Sequence, residues 1–396
     1  MCIRDRPGSN PRDIRFFDLA KRERFKTARI TAFGSTRRPG IHAADDANLQ
    51  AILKSDTPAA AIFGKSWALH VKAIMDNTLE ENLAMIADSV AFLKASGREV
   101  IYDAEHFFDG FKDDPDYALE TLTAAWNAGA DFLVLCDTNG GTLPQEVESI
   151  VRSVSADLKR RLGDTGNLKL GIHTHNDCGM AEANAIAAIN CGAVMVHGTI
   201  NGYGERCGNA DLTTIIPVLS TKMNRPCIPQ EKLAGLKSLS RYVSETANIV
   251  PLNSRPFVGR SAFAHKGGIH VSAIMKESRA YEHMNPETVG NQRRVLMSDL
   301  AGKSNVEYKA KEMGVDLGAN GSDSKAIVTA IKQMEDDGYQ FDVADGSFQI
   351  MLEKFTEQFK PLFDLESFRV TIEKDKDLPC SAHATIKISV GDSHEI

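Results

Sequence analysis

The 396 residues include 42% hydrophobic side chains and carry a formal charge of −7, which allows a large buried core and excludes a role built on attraction to nucleic acid or an anionic membrane surface. Seven cysteines (Cys2, Cys136, Cys178, Cys191, Cys207, Cys227 and Cys380) show no CxxC pair and no regular spacing, the pattern of reduced thiols in a cytoplasmic protein. No apolar run approaches membrane-spanning length, and no signal peptide is visible.

Residues 1–6, MCIRDR, fit nothing that follows and read as a non-native leader. Asn10 caps and Pro11 opens a helix reaching to about residue 24, and a strand follows over 28–33. The alternation then repeats. Helices over 44–54, 79–95, 117–128 and 144–158 lead to strands over 59–63, 99–102, 131–135 and 168–172. A helix over 180–190, a short strand over 194–199 and a helix over 211–219 complete the series. Strands alternating with helices predict an α/β fold with a parallel sheet. Six strands, each preceded by a helix, read as a TIM (β/α)8 barrel that lacks its first two βα units and occupies residues 7–225.

Barrel active sites are built at the C-terminal ends of strands, and polar residues collect there. Lys65 and Ser66 follow the second strand; Asp103, Glu105 and His106 the third; Asp137, Thr138 and Asn139 the fourth. One such carboxylate is more often a helix cap, but several on one rim point to chemistry. After the fifth strand come His173 and His175, whose i, i+2 spacing directs both rings the same way. Two neutral imidazole nitrogens converging on one point suit a divalent metal, and Asn176 and Asp177 are placed to hold the ring tautomers. By spacing alone the pair could also be two ordinary strand histidines. The loop after the sixth strand, NGYGERCGN, adds Glu205, Arg206 and Asn209.

Downstream, residues 226–345 read as helical linker subdomains, with helices over 233–247, 306–313 and 323–337. Within them AFAHKGGIH has the composition of a flexible linker. From 346 to 396, a helix over 347–354 precedes strands at 367–373 and 382–390 that alternate apolar and polar residues, as a half-buried antiparallel hairpin does.

The run from HTHNDCG to GERCGN resembles the signature of the isopropylmalate, homocitrate and citramalate synthases, which share a TIM-barrel catalytic domain with hydroxymethylglutaryl-CoA lyase; the resemblance extends over nearly everything from Pro7 onward. It implies that His173, His175 and Asn209 hold a divalent cation. Manganese, magnesium and zinc stay open, since imidazole suits zinc while keto-acid oxygens and waters suit the other two. It further implies that Glu105, in DAEHFFDG, orients or deprotonates acetyl-CoA, and that Thr138 and Asn139, in DTNGGTLP, contact substrate together with Thr199. His270, in AFAHKGGIH, and Tyr281, in YEHMNPETVG, are implied to assist catalysis over a partner subunit of a homodimer, with His265 and His283 structural.

The implied reaction is condensation of acetyl-CoA with a 2-keto acid, followed by thioester hydrolysis. FGKSWALHV, IYDAEHFFDG and VLCDTNGGTLP are most similar to the citramalate branch, which uses pyruvate and serves isoleucine biosynthesis. The family's first strand carries an arginine followed by a metal-binding aspartate, and this chain has no such strand. Its C-terminal region is the start of the family's regulatory domain. A chain truncated at both ends, with weak metal binding and little activity, is therefore the expectation. Alternatives kept open are a 2-isopropylmalate synthase acting on 2-ketoisovalerate, a lyase, a keto-acid aldolase or biotin-dependent carboxyltransferase, and an inactive fragment. A lyase would lack AFAHKGGIH and the hairpin; an aldolase or carboxyltransferase would need a different C-terminal module.

Overall fold

Short apolar runs bounded by turn residues form the strands β1 (Thr31–Ser35), β2 (Ala59–Lys65), β3 (Glu99–Glu105), β4 (Phe132–Asp137), β5 (Leu170–Thr174) and β6 (Met195–His197), which pair in sequence order as one parallel sheet. The structure is a computed structural model describing residues 7–8, 10–163, 168–298, 300–317, 323–356, 359–391 and 393–395. The leader at 1–6 lies outside them. Helices α1 (Pro11–Ala20), α2 (Ala47–Lys54), α3 (Leu79–Ala95), α4 (Phe107–Asp113), α5 (Pro115–Asn127), α6 (Pro144–Leu162), α7 (Ala181–Asn190) and α8 (Leu212–Thr221) connect and follow the strands. Their starts are written in the sequence. The Asp46 carboxylate accepts the Asn48 and Leu49 amides, Thr78 caps α3 through the Glu81 amide, and Pro115 and Pro144 occupy first helical turns, where a missing N–H costs nothing.

Alternation along each strand divides the sheet into two faces. Ala32, Ala60, Ile62, Val100, Tyr102, Leu133, Leu135, Leu170 and Ile172 pack beneath the helices against Leu49, Ile86, Leu122, Val151 and Ala185. Phe33, Ala61, Ile101, Val134 and Cys136 form a separate inner cluster, joined by Phe63 and Met195. This is the barrel-type α/β arrangement expected, with six strands in the described sheet.

The first unit comprises the described residues up to 262 together with 286–291. It therefore takes in α9 (Gln230–Leu233), a turn the sequence did not predict, and α10 (Leu236–Thr246), which covers most of the helix expected over 233–247. Gly235, the N-cap of α10, separates the two. The second unit holds the described residues of 263–285 and of 292–395. It contains the two-residue strands β7 (Ala264–His265) and β8 (Arg294–Val295), α11 (Gly268–Lys276), α12 (Lys303–Met313), α13 (Asp323–Asp336) and α14 (Asp345–Phe355). Its core is Met297, Val306, Ile327, Ile331, Phe348 and Leu352. AFAHKGGIH, whose composition is that of a linker, instead runs through β7 and enters α11 at Gly268, where Val271 and Ile274 are buried one turn apart. Strands β9 (Asp364–Glu373) and β10 (Ser381–Val390) pair antiparallel, and β11 (Ser393–Glu395) joins them. The pairing follows the alternation, but β9 is exposed along its whole length rather than half-buried.

Candidate active site

The inner face of the sheet carries the chemistry because parity carries it there. On β3, Val100, Tyr102 and Ala104 face the helices, so Asp103 and Glu105 face inward; on β5, Leu170 and Ile172 face out and His173 inward. Register then aligns the strand ends. Lys65 stands opposite Glu105, Cys136 opposite His173, and His173 opposite His197. These ends open into a cavity of about 400 Å³ lined by Phe33, Phe63, Asp103, Glu105, Cys136, Thr138, His173, His175, Thr199, Tyr203, Glu205 and Asn209.

His173 and His175 turn their Nε2 atoms to within 3.2 Å of each other. Two ligands about 2.1 Å from one cation lie about 3.0–3.4 Å apart at octahedral to tetrahedral angles, so the pair has the spacing of metal donors. Asn209 forms an isolated antiparallel bridge with His175 and donates its Nδ2 to the Tyr203 carbonyl at 3.3 Å, which leaves its Oδ1 the atom suited to a cation. Among the described residues no three His, Cys, Asp or Glu side chains are grouped to hold a metal. His173, His175 and Asn209 thus offer two imidazole nitrogens and an amide oxygen to one cavity. Asp103 supplies carboxylate charge to the same cavity, with its Oδ1 3.7 Å from His197 Nδ1, and Glu105 is ion-paired with Lys65.

Asn176 and Asp177, expected to hold the histidine tautomers, serve the loops. Asn176 Oδ1 accepts the Ala181 amide at 3.1 Å, at the start of α7, and Asp177 pairs with Arg206. Hydrogen bonds from Arg206 hold the Asp177 carboxyl below its ordinary range. Thr138 and Thr199 line the cavity; the Thr138 hydroxyl accepts the His106 amide at 2.9 Å and Thr199 donates to the Tyr203 carbonyl at 2.6 Å. Asn139 does not line it. Its side chain is exposed and donates to Asp109 at 3.0 Å. His270 and Tyr281 belong to the second unit, where their ring centroids lie 4.3 Å apart with the planes tilted by 30°. His265, also there, meets the Glu282 carboxylate, which Arg293 grips at 2.6 Å through two nitrogens.

Sequence reasoning gave no role to His197, whose signal was its place at the end of the sixth strand. It also passed over the cluster beside Glu105. There His70, in a π-turn over His70–Ile74, lies with its ring centroid 4.1 Å from that of His106 and stacks on Trp67. Burial, reinforced by His106 and Lys65, lowers the His70 pKa.

Residues 19–243 match the HMGL-like family, and residues 257–339 match the homocitrate synthase post-HMGL domain-like family. The chain belongs to the HMGL-like family of α/β-barrel enzymes. The (R)-citramalate synthase of Aquifex aeolicus is 48% identical over 386 residues, covering 97% of this chain and 72% of that protein. The (R)-citramalate synthase of Synechocystis is 48% identical over 392 residues, covering 97% and 71%. A probable 2-isopropylmalate synthase of Methanopyrus kandleri reaches 32% over 291 residues, 74% of this chain and 55% of that protein. Within the family, this chain therefore stands with the (R)-citramalate synthases.

Proposed function

We propose that the chain catalyses the citramalate synthase reaction, in which acetyl-CoA, pyruvate and water give (R)-citramalate and CoA. The observation that carries the site reading is the pair of Nε2 atoms 3.2 Å apart in the same cavity as Glu105. His173, His175 and Asn209 would hold a divalent cation, which when bound draws electron density from the keto group of the 2-keto acid. Glu105 takes a proton from the acetyl methyl group, the carbon so activated bonds to the keto carbon as the C=O π bond opens, and the keto oxygen takes up a proton to become the product hydroxyl. Lys65, ion-paired with Glu105, fixes the direction of that carboxylate. Water then cleaves the thioester, so that CoA leaves as the thiol. Thr138 and Thr199 present hydroxyls for orienting the substrates, and Phe33, Phe63 and Cys136 give the cavity an apolar wall against the small pyruvate methyl. His270 and Tyr281 keep the assisting roles that the family resemblance implies, in a cytoplasmic homodimer.

The test is CoA release by the purified chain with acetyl-CoA and a series of 2-keto acids. Release should depend on pyruvate and fall for 2-ketoisovalerate. A preference for 2-ketoisovalerate would favour the isopropylmalate branch, and no release with any keto acid would favour the inactive fragment.

A further inference from the structure

An isolated, partly exposed ion pair contributes little to a fold. The pair between Asp177 and Arg206 is built differently. Arg206 Nε and Nη2 donate to the two carboxylate oxygens of Asp177 at 2.7 and 2.9 Å, and Nη2 also donates to the Thr138 carbonyl at 2.7 Å. One guanidinium thus joins the loops that follow β4, β5 and β6, in the planar, two-pronged geometry that only arginine supplies. Arg206 does so from a backbone φ of 52°, in the left-handed region that a side chain occupies at a cost.

The surroundings are fitted to the pair. A Cβ on Gly140, whose φ is 66°, would lie 2.5 Å from Asp177 Oδ2 and 2.9 Å from the Asp177 amide nitrogen. The Asn176 amide donates to the Gly208 carbonyl at 2.9 Å, and the Cys178 amide to that of Gly140 at 3.2 Å. Arg206 itself does not line the cavity. The two segments it clamps, however, present His175 two residues before Asp177 and Asn209 three residues after Arg206, and the backbones of those two donors bridge each other.

We propose that Arg206 is a positioning residue: clamped on Asp177 and Thr138, it holds the 202–209 loop in register with the 175–178 turn, and so keeps the His175 and Asn209 donors at cation-binding separation. This rests on the cation reading given above.

The experiment uses the whole chain and two readouts, amide hydrogen exchange on metal-free protein and titration with manganese(II). Arg206→Met should speed exchange at the Asn176 and Asn209 amides and weaken manganese binding about 10- to 100-fold, the range seen when a group supporting a metal ligand is removed. Arg206→Lys keeps the charge without the fork, and should fall between Met and the parent in both readouts. Asp177→Asn should reproduce both effects, and decides the matter if Arg206→Met does not fold. Unchanged exchange would overturn the proposal, as would faster exchange with manganese affinity within about twofold of the parent. His173→Ala separates the two readings. If it binds manganese as well as the parent does, the cation reading fails, while exchange on metal-free protein still reports whether the clamp exists.

Discussion

Replacing Gly204 by alanine separates the proposed cation donor from the stability of its loop. Gly204 is exposed, and its φ lies outside the left-handed region, so alanine meets no backbone penalty. A Cβ built there would fall inside the van der Waals sphere of Asn209 Nδ2 and 3.1 Å from Asn209 Cγ, with the Asn209 amide nitrogen at 3.5 Å. Side-chain atoms pack at about 3.5–4.0 Å, so the Asn209 amide must swing away by on the order of 1.5 Å. Its bond to the Tyr203 carbonyl breaks with it. A metal bond tolerates about 0.2 Å, and a misplacement of about 1 Å at a reacting centre can cost about 100-fold in rate. Thermal unfolding should therefore move by only a few degrees, since a single side-chain hydrogen bond is worth about 1 kcal/mol. Manganese affinity and pyruvate-dependent CoA release should both fall at least tenfold, as for other groups supporting a metal site. Parent-like affinity and turnover in a folded Gly204→Ala protein would refute Asn209 as a donor.

Glu105→Gln, nearly isosteric, should lower kcat about 100- to 10,000-fold with little change in the acetyl-CoA KM, as steady-state kinetics would show; a change confined to KM would assign Glu105 to binding. Gly110→Ala should destabilise the first unit by about 1–3 kcal/mol in denaturant titrations, despite a helix-propensity gain of about 1 kcal/mol, because the new Cβ would lie 2.9 Å from the Ser66 carbonyl carbon and 3.0 Å from Trp67 Cα. Arg37→Met should cost about 1.5–3 kcal/mol at pH 7, through loss of bonds from the buried guanidinium to Glu81 at 2.7 Å and Asp88 at 2.9 Å. The Arg37 and Gly40 donors hold the Glu81 carboxyl below its ordinary range. Its contribution is therefore complete above that range and is lost as pH falls through the lowered value, so the gap between parent and variant should narrow on acidification below pH 4.5; a gap independent of pH would refute the assignment.

Where local signals and packing agree, the sequence was enough. The helix over 79–95 has its Thr78 cap, its acidic first turn and its apolar positions in one direction, and both ends fall where expected. The two strand histidines share a face because parity requires it. The elements that were missed are those chosen by packing. Helix α4 begins directly after His106, at a φ of 57°, and carries Gly110 in its middle. Locally that is a turn; it is helical because Gly110 lets the chain lie against the Ser66 carbonyl. Helix α11 opens on two glycines, and α9 and α10 part at a glycine inside a continuous apolar pattern. At the site, Asp177 read as a partner for histidine because its neighbours in sequence were histidines; its partner in space, Arg206, is 29 residues away.

The alternation that sends Tyr102 and Leu135 to the helices and Glu105, Cys136 and His173 to the cavity also divides what a mutation can reach. Substitutions at Phe33, Phe63 or Cys136 reshape the wall of the cavity and leave the layer between sheet and helices untouched, while those at Ile62 or Leu135 do the reverse. A lineage can therefore explore new keto acids one inward residue at a time while each trial disturbs only the small inner cluster, and a directed-evolution library drawn from the inward set should keep a larger share of soluble members than one drawn from the outward set.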